Sequence, residues 1–593
     1  MKKTTLQLAI GLMIFFATAS YKAHACTSFL ITKGASADGS TMITYAADAN
    51  WFYGTLRFHP AAIHPPGTML NVHSWHDHEL LGSIPQVERT YTVIGNMNQH
   101  QVTIAETTFG GRPELRDSAG IIDYGSLKYI TLQRAKTARE AIQIIHYLLS
   151  NYGFNSVGES FSIGDPNEVW YMELIGKGQP ILNSKGEIDH SRWKPGSGAV
   201  WVAKRVPDGY ISGHANHARI TTFPVANPRG RATTINCRNI ALLTTTPSIE
   251  VVYAHDVVTY AQGIGIFNGR REDFSFSDVY APLDFGAMRF CESRVWSGFR
   301  KANRSGIMDK FEDYARGANP SNRMPLWIRP DRPLTLQDVQ SMMRDHFAGT
   351  SLCMLQDPGR GPFNKPYRWR PMRWDLNGEN FIHERAISTQ QTGFSFVAQM
   401  RGWLPNPIGG ILWFGVDDTY LTVWMPMYAG LTQVPHSLAE GNGSMVQHSH
   451  TSAFWMFNLV SNWVYTRFSD MIVDVKKVQS ELEEGFIRKV AANDAAWKQI
   501  TDYAMLSQLA TEFSLAQAQY TFDRWRSLFY DYLLIKYVDG NIKKQHEDGN
   551  FIIRQQSKRN SVDPYHPRYP DWFYQQIINH SGDNLRYIGV DKE

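Results

Sequence analysis

A boundary at residue 25 constrains this chain more than any other feature of its sequence. Lys2 and Lys3 form a basic start, residues 6–20 are apolar or small, and Ala23-His24-Ala25 fits the small-x-small cleavage rule of a secretory signal peptide. The run is too short to span a bilayer comfortably, and no later stretch reaches about 20 uncharged apolar residues. Twin arginines are absent. The expectation is a leader over residues 1–25, ordinary export, and a mature protein in the periplasm or outside the cell. The folded body then has to begin at Cys26. Residues 26–32 are β-branched and aromatic, Lys33-Gly34 and Asp38-Gly39 punctuate a turn, and residues 40–45 are strand-like again. The predicted result is a hairpin with Cys26 at its leading edge.

Cleavage after Ala25 makes Cys26 a terminal residue, and that changes its chemistry. The free α-amine, with a reference pKa of about 7.7–8.0, lies a few atoms from the thiol and accepts a proton near neutral pH. A thiol with a pKa near 8.5 is already partly ionised there and is a good nucleophile. Together they form a minimal acyl-transfer device, provided the fold supplies donors for an oxyanion. Two other readings of Cys26 stand beside this one: a lipidated cysteine, although Ala23 occupies the place where lipoproteins usually carry an aliphatic residue, and a structural cysteine.

Loss of Lys2, Lys3 and Lys22 takes the formal charge from +4 to +1 on the remaining 568 residues. Such a balance gives no reason to expect nucleic acid. With 43% hydrophobic residues the chain is neither disordered, collagen-like nor a coiled coil. Cys237, Cys291 and Cys353 are an odd set, so at most one disulfide forms among them.

Strand pairs are predicted around Asn96 and Asn98 (residues 91–94 and 102–105) and around Asp165-Pro166-Asn167 (residues 160–163 and 169–173). Between them Thr137-x-x-Glu140 reads as a capping box before Ile142, Ile145 and Leu149, with Gly153 as a stop. Strands, then helices, then strands indicate a layered α+β body. Further strands are expected at 394–399, 410–415 and 420–425. Met471, Val475, Val478, Leu482, Phe486 and Val490 share one helical face, a second apolar helix is expected over 503–537, and the tail after Lys558 reads as irregular surface chain. These patterns divide the chain into a leader (1–25), a main body (26–440) and a helical C-terminal extension (441–593).

Several motifs carry a family resemblance. Cys26-Thr27-Ser28 and residues 33–41 are similar to the opening of the dipeptidase A family, cysteine peptidases of the N-terminal-nucleophile hydrolase superfamily. Gly95-Asn96-Met97-Asn98, Glu106-Thr107-Thr108, residues 162–170, Arg205 to Tyr210 with His214-Ala215-Asn216 and Arg219, and Glu292-Ser293-Arg294-Val295-Trp296 agree in order across about residues 26–430. The resemblance implies a four-layer αββα sandwich with the nucleophile starting an inner strand, and hydrolysis of dipeptides without metal or organic cofactor. It also implies roles. Asp48 matches the acidic residue orienting the amine end of the nucleophile, Asn216 an oxyanion-hole asparagine, and Arg294 an arginine near the nucleophile, with Arg289 the nearer competitor for that place. Thr107 or Thr108 falls where relatives supply another oxyanion donor and contact substrate. Glu106 reads as a core-edge carboxylate outside this set. One departure is plain: Tyr45 stands where many members carry arginine and supplies no fixed positive charge for the thiolate, so that either Arg294 compensates, the specificity is altered, or the enzyme is weakened.

Other signals weigh less. His73, His76, Asp77 and His78 include metal-ligand types, but no third ligand is specified and they read as exposed loop residues. Asp417 and Asp418 are expected to point to opposite faces of a strand, a poor acid–base pair. Alternatives to an exported dipeptidase are an N-acyl amide hydrolase of the bile-salt or penicillin amidase type, and a non-catalytic surface lipoprotein anchored at Cys26. A homo-oligomer is compatible with the sequence.

Overall fold

The hairpin expected after residue 25 lies in the middle of a seven-stranded sheet in the computed structural model, which describes residues 26–225, 233–369, 372–546, 548–551, 553–556, 559–562 and 564–589. The leader over residues 1–25 lies outside the described residues. β1 (Ser28–Ile31) and β2 (Thr41–Asp48) pair antiparallel, Leu30 opposite Ile43 and Ile31 opposite Met42. A bridge between Thr27 and Ala46 carries the pairing back to the residue after Cys26. Asp38 shapes the turn by accepting from the Ser40 backbone N–H (3.0 Å), the Ser40 hydroxyl (2.6 Å) and the Ser36 hydroxyl (2.7 Å).

A second, nine-stranded sheet is centred on β3 (Thr103–Gly110), β4 (Gly158–Gly164) and β5 (Val169–Gly176), all antiparallel. Two helices, α1 (Tyr124–Leu132) and α2 (Ala138–Tyr152), join β3 to β4. α2 begins where expected, with Thr137 accepting from the Glu140 N–H. The Glu140 carboxylate, however, reaches the Lys136 N–H instead of closing a capping box. Around Asn96 and Asn98 the two expected strands are three: Val93–Ile94 and Met97–Asn98 pair with each other before β3. β6 (Ile211–His214) returns to the first sheet beside β1, Ser28 opposite His214. β7 (Thr392–Met400), β8 (Gly410–Val416) and β9 (Met425–Tyr428) extend that sheet on the far side of β2.

Alternation along β1 relates the two sheets. Successive side chains point to opposite faces. The Ser28 hydroxyl meets the Ser162 hydroxyl of the second sheet at 2.8 Å, and Ile43 on β2 packs over Gly164. Phe29 points the other way, onto α3 (Ser293–Ala302), so tightly that a Cβ at Gly298 would lie 2.1 Å from its ring. α4 (Leu336–Met343) packs beside it on β2 and β7, and α2 packs on β4. The result is a mixed α+β body with two large sheets and helices against each.

The C-terminal helices α5 (Ala453–Thr466), α6 (Phe468–Trp497) and α7 (Tyr503–Ser527) pack on the β8–β9 end of the first sheet. The predicted stripe from Met471 to Val490 is buried on α6. Two expectations are corrected. Residues 420–424 are not strand: the Leu421 and Thr422 N–H groups turn back to the Asp418 carbonyl, and the Trp424 N–H goes to Glu483 of α6, so pairing starts only at Met425. The tail is not irregular throughout, because residues 571–581 form a helix between Pro570 and Gly582. All four cysteines are free.

Asp417 and Asp418 do not lie on a strand. They follow β8, Asp417 with a φ of +68°, and both are buried where body and extension meet. Asp417 accepts from Ser461 (2.6 Å) and Asn458 (3.1 Å) of α5. Asp418 accepts from the hydroxyls of Tyr465 (2.7 Å), Tyr367 (3.1 Å) and Ser388 (2.7 Å) and from the Tyr420 N–H (3.0 Å). Asp418→Ala strands these buried donors and is expected to cost about 3 kcal/mol in urea-induced unfolding.

Candidate active site

Cys26 heads the hairpin and is buried, 1% exposed. Its sulfur lies 3.2 Å from the Tyr45 hydroxyl, which donates its one proton to Glu106 of β3 at 2.6 Å. Cys26 therefore donates its S–H to the Tyr45 oxygen, and the three groups form a chain of donors ending on a carboxylate. Burial, then the charges of Glu106 and Asp48, push the thiol well above its ordinary range; the Tyr45 hydroxyl and the Asp48 backbone N–H act in the opposite direction. Glu159 of β4 stands beside Glu106. Burial and the neighbouring Glu106 charge hold its carboxyl well above the usual carboxylate range.

Arg294 of α3 is fully buried and uses all five of its N–H donors. They go to the carbonyls of Phe290 (2.7 Å), Cys26 (2.8 Å) and Ala215 (2.9 Å), the Thr27 hydroxyl (2.8 Å) and the Asn216 side-chain oxygen (2.8 Å). Arg294 thus holds the backbone of Cys26 and has no donor left for its sulfur. Arg289, the competing arginine, pairs with Glu384 away from the thiol.

The register of β6 against β1 brings Asn216 alongside Cys26. Asn216 has a φ of +67°, a conformation asparagine tolerates better than most residues. Its side-chain N–H donates to the Thr108 carbonyl at 2.8 Å while its oxygen accepts from Arg294. Asp48 ends β2, fully buried, with one carboxylate oxygen accepting from the Thr392 hydroxyl at 2.7 Å. The hydroxyls of the two threonines are engaged elsewhere: Thr107 with His214 Nδ1 (2.7 Å), Thr108 with Glu159 (2.8 Å). His214 also meets the Ser162 hydroxyl through Nε2 at 2.7 Å. Burial, then Arg219, lowers its pKa to about 3, so this imidazole is a neutral cross-brace between the sheets. The structure therefore gathers Cys26, Asp48, Asn216 and Arg294. It adds Tyr45 and Glu106, whose partnership no local spacing reveals; a carboxylate beside two threonines in a buried strand was the available signal.

Next to Tyr45 and Glu106 opens a cavity of about 440 Å³, lined also by Trp75, Lys128, Phe394 and Glu440. His76 and His78 are exposed on a loop, as expected, and that loop borders the cavity; His73 Nδ1 meets the His78 carbonyl at 3.0 Å. Among the described residues no group of three His, Cys, Asp or Glu side chains is placed to hold a metal ion, and no helix is long and apolar enough to cross a membrane.

Comparison with known proteins agrees with this geometry. The profile of the family described as Peptidase family C69 matches residues 25–481. A "Probable dipeptidase" of Salmonella dublin is 22% identical over 432 residues, covering 69% of this chain and 82% of that protein. A "Dipeptidase" of Bifidobacterium longum (strain NCC 2705) is 23% identical over 511 residues, 79% and 83% of the two chains. "Dipeptidase A" of Lactobacillus helveticus is 21% identical over 491 residues, 79% and 86%.

The acidic surroundings of the thiol make a prediction about its ionisation. A raised pKa keeps Cys26 as a thiol through neutral pH, and the thiolate appears only as pH rises through that value. Glu106→Gln removes the acidic charge with the larger effect on the thiol and keeps an acceptor for Tyr45. The pH profile of iodoacetamide alkylation, followed at Cys26 by peptide mass mapping, should shift to lower pH in this variant; an unchanged profile contradicts the assignment.

Proposed function

Since the chain belongs to peptidase family C69, we propose that it is an exported cysteine dipeptidase whose nucleophile is Cys26. The observation that carries this reading is a single cysteine heading the hairpin of one large sheet, held at its carbonyl by Arg294 and set beside a closed-in cavity. On this reading the two facing sheets with helices against each are the αββα sandwich of N-terminal-nucleophile hydrolases.

The reaction follows from the groups around the sulfur. Removal of residues 1–25 converts the Cys26 backbone nitrogen from an amide into an amine, the general base for its own thiol, and Asp48 orients that amine. The sulfur bonds to the peptide carbonyl carbon as the amine takes the thiol proton. Asn216, held in place by Arg294 and Thr108, donates to the oxyanion. The C–N bond then breaks, the amine returns its proton to the leaving amino acid, and a thioester remains. Water, deprotonated by the same amine, attacks the thioester and regenerates the thiol. Thr107 and Thr108 serve this site through backbone and hydroxyl contacts to His214, Asn216 and Glu159.

Purified protein lacking residues 1–25 is expected to hydrolyse unmodified dipeptides, to retain that activity with a chelator present, and to prefer dipeptides over N-acyl amides. Cys26→Ala should lose at least about 10³-fold in kcat/KM. Full activity in Cys26→Ala overturns the mechanism, and an intact mass showing a diacylated Cys26 overturns both the free nucleophile and the mode of export.

A further inference from the structure

Lys128 is a buried cation that the reaction above does not use. It lies on α1, is 2% exposed, and lines the cavity beside Tyr45 and Glu106. Among the described residues it forms no ion pair and no hydrogen bond through its ammonium. The ammonium sits over aromatic rings instead: 4.9 Å from the centroid of Tyr129, 5.2 Å from Trp75 and 6.0 Å from Tyr45. Trp75 reaches that place because position 125, one turn before Lys128, is glycine; a Cβ there would come within 2.5 Å of the indole.

An ammonium held on ring faces, with no carboxylate hydrogen-bonded to it and only the longer-range charges of Glu159 and Glu106 opposite, has its donors open to an anion entering the cavity. The other fixed cation of the cavity wall is already occupied, since Arg57 pairs with Glu440 at 3.2 Å and stacks over Trp75. Burial keeps His76 below its ordinary pKa and neutral at pH 7. An incoming anion therefore finds Lys128. Its position relative to the nucleophile follows from Tyr45, whose hydroxyl touches the Cys26 sulfur and whose ring faces the ammonium. In a dipeptide the free carboxylate is three bonds from the scissile carbonyl carbon, within about 4 Å of it. A carboxylate running along the Tyr45 ring from a carbonyl at Cys26 would meet Lys128.

We propose that Lys128, on its floor of Trp75, Tyr129 and Tyr45, is the subsite that binds the free C-terminal carboxylate of the substrate. The inference rests on the dipeptidase reading and deepens it, because a carboxylate pocket one residue beyond the scissile bond restricts cleavage to chains ending there. A longer peptide places a neutral amide at Lys128, and so does a dipeptide amide.

The test compares kcat/KM for one dipeptide and its C-terminal amide in the wild type, K128M and K128R. The wild type should favour the free acid by roughly 10- to 100-fold, the range of a charge-assisted hydrogen bond. K128M should erase that preference, chiefly through KM for the acid, and K128R should restore most of it. Equal loss on acid and amide in K128M makes Lys128 a counter-charge for Glu106 and Glu159 and overturns the proposal. Equal cleavage of acid and amide by the wild type also overturns it, while leaving the dipeptidase reading intact. If the wild type cleaves neither, the functional reading itself fails and the subsite falls with it.

Discussion

Everything at the centre of this molecule hangs from the guanidinium of Arg294. A fully buried cation with no carboxylate beside it is tolerable only if every N–H finds an acceptor, and here five acceptors come from three separate places in the chain. Two are the carbonyl of Cys26 and the hydroxyl of Thr27, so the start of β1 is fixed to α3. Two are the carbonyl of Ala215 and the side chain of Asn216, so the segment after β6 is fixed to the same point. The planar fork of an arginine matches this set; a lysine ammonium offers three donors from one atom and has no such reach. The nucleophile is thereby oriented through its backbone, with its side chain left to other partners.

Those partners are acidic. The thiol donates to Tyr45, Tyr45 donates to Glu106, and Glu106 neighbours Glu159, whose carboxyl burial holds above its usual range. Such a chain stabilises the neutral thiol and disfavours the thiolate. Tyr45 has a second consequence. A fixed cation at that position would sit on the sulfur, whereas the tyrosine leaves the positive charge of the region to Lys128, farther into the cavity.

Local order was legible in the sequence wherever it depends on near neighbours. The hairpin of residues 28–48, the β4–β5 pair, the start of α2 and the buried face of α6 all follow from periodicity and turn residues within a few positions of each other. The misread segments have distant causes or overlooked caps. Residues 420–424 have strand composition, yet Glu483, some sixty residues later, takes the Trp424 N–H. The helix at 571–581 was signalled by Pro570 and Gly582 but hidden by a tail rich in tyrosine and asparagine. Asp417 and Asp418 were judged as strand residues, although their partners on α5 make them a joint.

By itself the sequence determined that a hairpin follows Cys26, that Asp48, Asn216 and Arg294 were residues to watch, and which helix faces are apolar, because these are matters of adjacency, period and motif. Only the tertiary structure decided what each of them touches. It made Arg294 a clamp on the Cys26 backbone, turned the Thr107 and Thr108 hydroxyls to His214 and Glu159, and brought Tyr45, Glu106 and Lys128 to one cavity. The physical reason is that hydrogen bonds and burial act over a few ångströms in space, and strand register, not distance along the chain, sets which side chains come that close.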